Sequence, residues 1–297
     1  MAKSGFVAIV GRPNAGKSTL LNQILKQKVA IISNKPQTTR NAIRGIFTDA
    51  DAQIVFIDTP GIHKPHHQLG KRMNKEAYAH ASGVDLIYLI IDANEELGGG
   101  DEYVLNKLND FKAPVFLLIN KIDLVSKETL IKLILKYQNK YDFKEIIPIS
   151  ALSNDNVDKL LELTKANIEE GEQFYPLDMV ADYPEQFIIS EVVREKVLIL
   201  TEQEIPHSVA VVIERIVKKR DVLSINAMIL VERNSQKAII IGKAGNMIKK
   251  IGQMAREDLE IILGNRIYLE LFVRVEKDWR NKERRLKELG YIDVEID

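Results

Sequence analysis

The 297-residue chain has no cysteine. That excludes disulfides, thiol nucleophiles and any zinc or iron–sulfur site built on cysteine, and it suits a reducing compartment. No stretch approaches the ~18 consecutive apolar residues that a membrane span requires. The apolar start at 6–10 meets Gly11-Arg12 at once, too short for a secretory h-region and without a small-residue cleavage site. A soluble intracellular protein is the expectation. Net charge is also missing, since 42 basic residues balance 42 acidic ones. Any binding to nucleic acid must therefore come from a local patch, not from bulk attraction. A hydrophobic share of 45% with 28% charged residues excludes disordered and collagen-like chains, and the length suits about two domains.

What is present falls into two patterns. Up to about residue 170, short apolar runs at 6–10, 53–57, 86–91, 115–119 and 145–149 alternate with amphipathic segments at 17–25, 70–82, 102–109, 127–140 and 156–169. Nearly continuous, β-branched runs suit strands buried on both faces. The alternation predicts an α/β domain with a mostly parallel, doubly wound sheet over 1–172. Gly171, Pro176 and Pro184 mark a linker at 173–183. From 184 to 297 the order changes to a helix (185–200), strands at 208–217 and 224–233, a helix (246–263), a strand (266–275) and a charged helix (278–289), a smaller α+β domain.

Gly11-Arg12-Pro13-Asn14-Ala15-Gly16-Lys17-Ser18 fits G-x-x-x-x-G-K-[ST] between a strand and a helix that Thr19 continues. Such a loop turns backbone N–H groups around phosphate oxygens, and the helix start adds its positive end. Lys17 supplies a cation for the outer phosphates and the Ser18 hydroxyl a ligand for Mg²⁺. Asp58-Thr59-Pro60-Gly61 ends the second parallel run. Asp58 there can hold Mg²⁺, and the Gly61 N–H can face a γ-phosphate and couple the next segment to the nucleotide state. In Gln37-Thr38-Thr39-Arg40 either threonine can reach the metal, and Thr39 is preferred. Lys17, Thr39 and Gly61 are thus the candidate catalytic groups, with Ser18, Thr39 and Asp58 on the metal.

Asn120-Lys121-Ile122-Asp123 follows a further run. A carboxylate at Asp123 accepts from both N1–H and the 2-amino group of guanine. Adenine offers neither donor and leaves a buried carboxylate unpaired, a mismatch worth ~10⁴ or more in discrimination. Lys121 can lie along the base, Asn120 can tie this loop to the phosphate loop, and Ser150-Ala151 can offer a backbone N–H to the 6-oxo group. His63, His66 and His67 cluster behind Gly61. Their spacing is not a usual zinc pattern, and a solvated loop is the preferred reading.

In the second domain Gly242-Lys243-Ala244-Gly245 precedes an apolar helical stripe. G-x-x-G between two helices is the backbone clamp of KH domains, which hold about four nucleotides. Propensity alone makes 238–241 a strand. Between 211 and 250, nine basic residues face three acidic ones, and between 274 and 287 seven face three. The first is the footprint phosphate binding needs. The second fits equally a solvated helix laced with ion pairs. Lys218, Lys219, Arg220, Gly242, Lys243, Ala244, Gly245, Lys249 and Lys250 are the candidate RNA-binding residues. Trp279 reads as a core anchor before a base-stacking group.

These motifs together resemble the Era family of bacterial GTPases. Gly11-Arg12-Pro13-Asn14, Gln37-Thr38-Thr39-Arg40 and Asp58-Thr59-Pro60-Gly61 carry the resemblance in the first domain, and G-x-x-G over 184–275 carries it in the second. The resemblance implies GTP and Mg²⁺ as ligands and a KH-like type II domain in which 235–241 is a helix. It further implies binding near the 3′ end of small-subunit ribosomal RNA, a role in small-subunit assembly, a monomer, and a cytoplasmic location with peripheral association at the inner face of the cell membrane. Ile62 stands where Ras-type proteins carry a water-positioning glutamine, so no general base can be named and slow intrinsic hydrolysis is expected. The rival reading is a GTP-gated protein- or membrane-interaction switch whose second domain does not bind RNA. An ATP-driven RNA enzyme is disfavoured by Asp123.

Overall fold

The computed structural model describes residues 2–35, 37–63, 65, 67–202, 205–219 and 221–291. The first unit runs β1 (Lys3–Gly11), α1 (Lys17–Leu25), β2 (Ile43–Thr48), β3 (Ala52–Asp58), α2 (Gln68–Ala81), β4 (Leu86–Asp92), α3 (Gly99–Leu108), β5 (Val115–Asn120), α4 (Lys127–Tyr137), β6 (Glu145–Pro148) and α5 (Val157–Asn167). Its sheet has the order β2-β3-β1-β4-β5-β6, parallel except for the edge pair β2–β3. Alternate residues of the central strands feed two apolar layers. Val7, Ile9, Phe56 and Tyr88 face α1 and α5, while Ala8, Val10, Leu89 and Leu117 face α2, α3 and α4. Burial on both faces is why these runs are continuous rather than alternating.

Strand β2 has no counterpart among the expected strands. Arg44, Gly45 and Thr48 interrupt its apolar run, and an antiparallel edge strand needs only one buried face. Helix α3 begins three residues earlier than expected, at Gly99, because the Asp101 carboxylate accepts the Gly98 N–H and caps the turn. The segment 173–183 is pinned along the β2–β3 edge. Gln53 Oε1 accepts from the Phe174 and Tyr175 N–H groups (2.7 and 2.9 Å), and the Ile46 N–H donates to Val180 O (2.8 Å).

The second unit runs α6 (Glu185–Leu200), α7 (Ile205–Ser208), β7 (Ala210–Lys219), β8 (Val222–Val231), α8 (Asn234–Ile241), α9 (Asn246–Leu263), β9 (Arg266–Val275) and α10 (Glu283–Glu288). Its sheet is β7-β8-β9, antiparallel then parallel. Residues 234–241 are helical despite their β-branched content. Eight residues do not hold a helix alone. Ile240 is buried in the core, and Gln236 Oε1 accepts from the Glu232 and Arg233 N–H groups (2.9 and 3.0 Å), fixing the first turn.

The single helix expected over 278–289 is instead a 3-10 turn (Trp279–Asn281) followed by α10. Asp278 takes a left-handed conformation (φ 55°), and Trp279 is drawn fully into the core, its Nε1 donating to Ser208 O at 2.9 Å. Trp279 is thus a core anchor. It joins Leu286 and Tyr291 with Leu69 and Met73 of α2 in one cluster, so the two units share a buried contact.

Glu76 of α2 accepts the Ala42 N–H at 2.7 Å, and burial pushes its carboxyl up to about 7. A folded-state value above the unfolded one gives stability that is present at low pH and lost as pH rises from about 4.5 through 7. Glu76→Gln keeps the acceptor without the charge. Against wild type it is expected to be more stable at pH 8 by about 2–3 kcal/mol, with the gap closing toward pH 4.5, as denaturant titrations at the two pH values would show. A gap independent of pH would contradict this.

Candidate nucleotide and RNA sites

The end of β1, the loop 12–16 and the start of α1 form one wall of a cavity of about 450 Å³. Gly16 sits at φ 102°, and a Cβ there would lie 2.1 Å from Asn120 Nδ2, so only glycine lets the loop pass under Asn120. Asn120 in turn donates to Ala15 O (2.8 Å) and accepts the Ala151 N–H (2.9 Å), binding three loops together. Asn14 donates to Asn34 O at 2.9 Å, and Lys17 Nζ donates to Arg12 O at 2.9 Å. Thr19 and Gly61 also line the cavity. Thr59 and Pro60 are buried beside it, Thr59 donating to Ile9 O at 2.8 Å.

Three oxygen-bearing side chains converge at its floor. Ser18 Oγ donates to Asp58 Oδ2 at 2.5 Å and lies 2.8 Å from Thr39 Oγ1, which is 3.3 Å from the same carboxylate oxygen. Thr38 turns away, donating to Lys35 O at 2.6 Å, so the geometry separates the two threonines that sequence left open. Asp58 is wholly buried, its Oδ1 has no hydrogen-bond partner, and burial pushes its carboxyl up to about 6. Burial likewise lowers Lys17 to about 8, with the Asp58 charge opposing. A buried carboxylate with an orphaned oxygen beside two hydroxyls is a donor set for a small hard cation, and an unneutralised lysine beside it suits a polyphosphate.

The second candidate surface lies on the far unit. Gly242 and Gly245 take φ 73° and 77° on either side of exposed Lys243 and Ala244, at the start of α9. Lys249 and Lys250 are exposed on the first turns of α9. A groove of about 500 Å³ continues from Lys249 between α9 and β9, past Gln253, Arg256 and Tyr268.

A family model described as a 50S ribosome-binding GTPase matches residues 6–121, and one described as a KH domain matches residues 204–280. A crystal structure of a tyrosine-to-alanine variant of Aquifex aeolicus Era bound to GDP·AlF4⁻ is 42% identical. It covers 97% of this chain and 99% of its own length, with a TM-score of 0.94. A crystal structure of Era in complex with MgGDPNP and nucleotides 1506–1542 of 16S ribosomal RNA is also 42% identical, covers 98% and 99%, and has a TM-score of 0.95. The chain belongs to the Era family. It is therefore a P-loop GTPase domain followed by a KH domain.

Several expected residues of this Era-family chain stand differently from the sequence reading. The Arg12 side chain leaves the cavity for Glu95 and Asp101 (2.9 and 3.1 Å), so only its backbone belongs to the loop. Asp123 stands exposed on a 3-10 turn (Ile122–Leu124), where a base would cover it. The N–H groups of Ser150 and Ala151, expected at the 6-oxo group, already donate to Asp155 O and Asn120 Oδ1. His63 is not a solvated loop residue. Its ring bonds Gly61 O through Nδ1 at 2.7 Å and Gln37 through Nε2 at 3.3 Å, while Asn74 Nδ2 donates to its carbonyl. Because a carbonyl only accepts, Nδ1 carries the proton. His66 and Arg220 lie outside the described residues, and among the described ones no three of His, Cys, Asp or Glu group as a metal site would require. Ile62 buries its side chain and donates its N–H to Gly11 O at 3.1 Å.

Lys218 and Lys219 are not brought to the G-x-x-G. They pair near Val222, which is level with Arg266 at the C-terminal end of α9. An 18-residue helix puts that end ~27 Å from its start. Sequence reasoning missed Gln253 and Arg256, which the 249–253–256 spacing on α9 could have revealed, and Tyr268 on β9, which it could not. It also missed Asp92, whose carboxylate holds Lys121 Nζ at 2.5 Å.

Proposed function

We propose that this chain binds GTP with Mg²⁺, hydrolyses it, and in its triphosphate state binds small-subunit ribosomal RNA near the 3′ end, assisting assembly and maturation of the small ribosomal subunit. The observation that carries the nucleotide half is the convergence of Ser18, Thr39 and the orphaned Asp58 carboxylate beside Lys17. These three would hold the metal, which when bound supplies Lewis-acid neutralisation of the outer phosphates. The loop from Gly11 to Gly16 wraps the phosphates with backbone N–H groups, Lys17 adds its charge, and the Gly61 N–H faces the terminal phosphate. Asp123 reads guanine, with Lys121 held along the base by Asp92. Hydrolysis rests on positioning and fixed charge rather than on a side-chain base. Likeness to Era bound to MgGDPNP and 16S ribosomal RNA over 98% of this chain supports both halves.

The RNA half is tested by titrating a single-stranded RNA with the small-subunit 3′ sequence, with a GTP analogue and with GDP, across salt concentrations. Tighter binding with the analogue is expected, with log K falling against log salt by ~0.7 per neutralised phosphate. Salt-independent or absent binding in both states would favour a protein-binding second domain. The same family reading makes the protein a cytoplasmic monomer with peripheral contact at the inner membrane face. Among the described residues no helix is long and apolar enough to cross a membrane.

A further inference from the structure

Helix α6 carries a charged triplet, Arg194-Glu195-Lys196, inside an otherwise apolar turn, and all three residues are at least 95% buried. Burying three charges is costly unless each is paired; Glu195 and Lys196 pair with each other at 2.8 Å and share Lys28 and Asp258 in one network, while Arg194 is paired apart from them. Lys196 reaches Asp258 on α9 at 2.5 Å. Glu195 accepts the Ile32 N–H at 2.9 Å through one oxygen and binds Lys28 at 2.7 Å through the other. Arg194 is held by Glu191 through Nε and Nη2 (2.7 and 2.5 Å) and points its remaining donors at the first domain. There Nη2 donates to Thr38 O and Nη1 reaches Gln37 O at 3.5 Å.

On the other side of Thr39 a second arginine makes the reverse contact. Arg40 is 2% exposed. Its guanidinium enters the second domain, donating to Val209 O (2.6 Å) and Pro206 O (3.1 Å), with the Trp279 ring 5.9 Å away. Thr39 therefore sits between two anchors that both belong to the second domain, and its hydroxyl is the one brought to Ser18 and Asp58.

We propose that Arg194 is a positioning residue for the GTPase reaction, supplied by the KH-bearing domain: by holding the carbonyls of Gln37 and Thr38 it sets Thr39 against the metal and terminal-phosphate site. This rests on the reading of Thr39 as a contact made in the triphosphate state. GDP lacks the γ-phosphate that Thr39 would meet, so Arg194 matters for GTP and little for GDP. The Lys196–Asp258 pair joins the same turn of α6 to the helix that begins at the G-x-x-G, which gives RNA on α9 a direct mechanical route to Thr39.

The test uses the full-length chain with fluorescent GDP and a fluorescent non-hydrolysable GTP analogue, titrated over a range of Mg²⁺. Arg194→Ala is expected to leave GDP affinity within about twofold and to weaken the analogue by about ten- to a hundredfold, the worth of a lost charge-assisted hydrogen bond. The Mg²⁺ concentration that half-saturates turnover rises in parallel. Arg194→Lys keeps the charge beside Glu191 but not the fork geometry, so it falls between the two and serves if the alanine variant folds poorly. Equal loss of GDP and analogue affinity in both variants, or no change in either, would overturn the proposal. A wild-type chain whose analogue affinity ignores Mg²⁺ would instead refute the reading of Thr39, before any variant is made.

Discussion

Asp123→Asn is expected to cost at least ~10³-fold in affinity for guanine nucleotides while raising affinity for xanthosine nucleotides. The carboxylate offers two acceptors, matching the N1–H and 2-amino donors of guanine. An asparagine offers one acceptor and one donor, so its amide N–H meets the 2-amino group and one hydrogen bond becomes a donor–donor clash. Xanthine carries an oxygen at that position and restores the match. The backbone that presents residue 123 is rigid enough for this substitution to act locally. Lys121 sits at φ 65° with its side chain held by Asp92, and Asn120 ties the loop to Ala15 and Ala151. Competition between GDP and xanthosine diphosphate for a fluorescent probe measures both changes. Retention of GDP affinity within tenfold would contradict the assignment of Asp123.

Gly245→Asp is expected to weaken binding of the small-subunit RNA 3′ sequence by about a hundredfold, because it places a carboxylate where a backbone should meet phosphates. Of the two glycines this is the cleaner change. A Cβ at Gly245 meets nothing within 4 Å, whereas one at Gly242 would lie 2.6 Å from the Met247 Cβ and disturb the junction of α8 and α9. At φ 77° an aspartate costs only about 1–2 kcal/mol of strain. Nucleotide affinity should stay at its wild-type value, since the cavity lined by Lys17 and Thr39 is built from first-domain residues. Electrophoretic mobility assays with matched GTP-analogue titrations measure the two in parallel. Unchanged RNA affinity would remove the G-x-x-G from the interface.

The parallel strands were legible because burial on both faces writes them as unbroken apolar runs. Strand β2 was not, because an edge strand carrying Gly45 and the half-buried Arg44 and Thr48 has no such signature. Helix α8 contradicts its own propensity. Its cap by Gln236 and its single buried contact at Ile240 are tertiary facts that a local reading does not contain. At the candidate nucleotide site, Lys17 and Ser18 came from the spacing of one motif, Asp58 from its place at the end of an apolar run, and Thr39 as the preferred of two neighbours. Asp92 and His63 were not readable, because each acts on a residue distant in the chain or on a carbonyl. The buried triplet Arg194-Glu195-Lys196 did leave a trace, as three consecutive charges inside the apolar segment 188–200. Its meaning depends on which domain faces it.

The second basic run, 274–287, is partly committed to ion pairs. Arg280 pairs with Glu232 at 2.6 Å and Arg285 with Glu276 at 3.0 Å, while Arg284 pairs with Glu288 at 3.0 Å. That segment builds the contact with α2 around Trp279, while Arg274, Lys277, Lys282 and Lys287 stay exposed. Arg256 and Lys249 line the groove along β9.

Isothermal titration of the purified chain with GDP and with ADP in Mg²⁺ bears most directly on the central claim, that one pocket grips a phosphate chain and selects guanine through Asp123. GDP is expected to bind with ADP weaker by ~10⁴-fold. Equal affinity for the two nucleotides would contradict it.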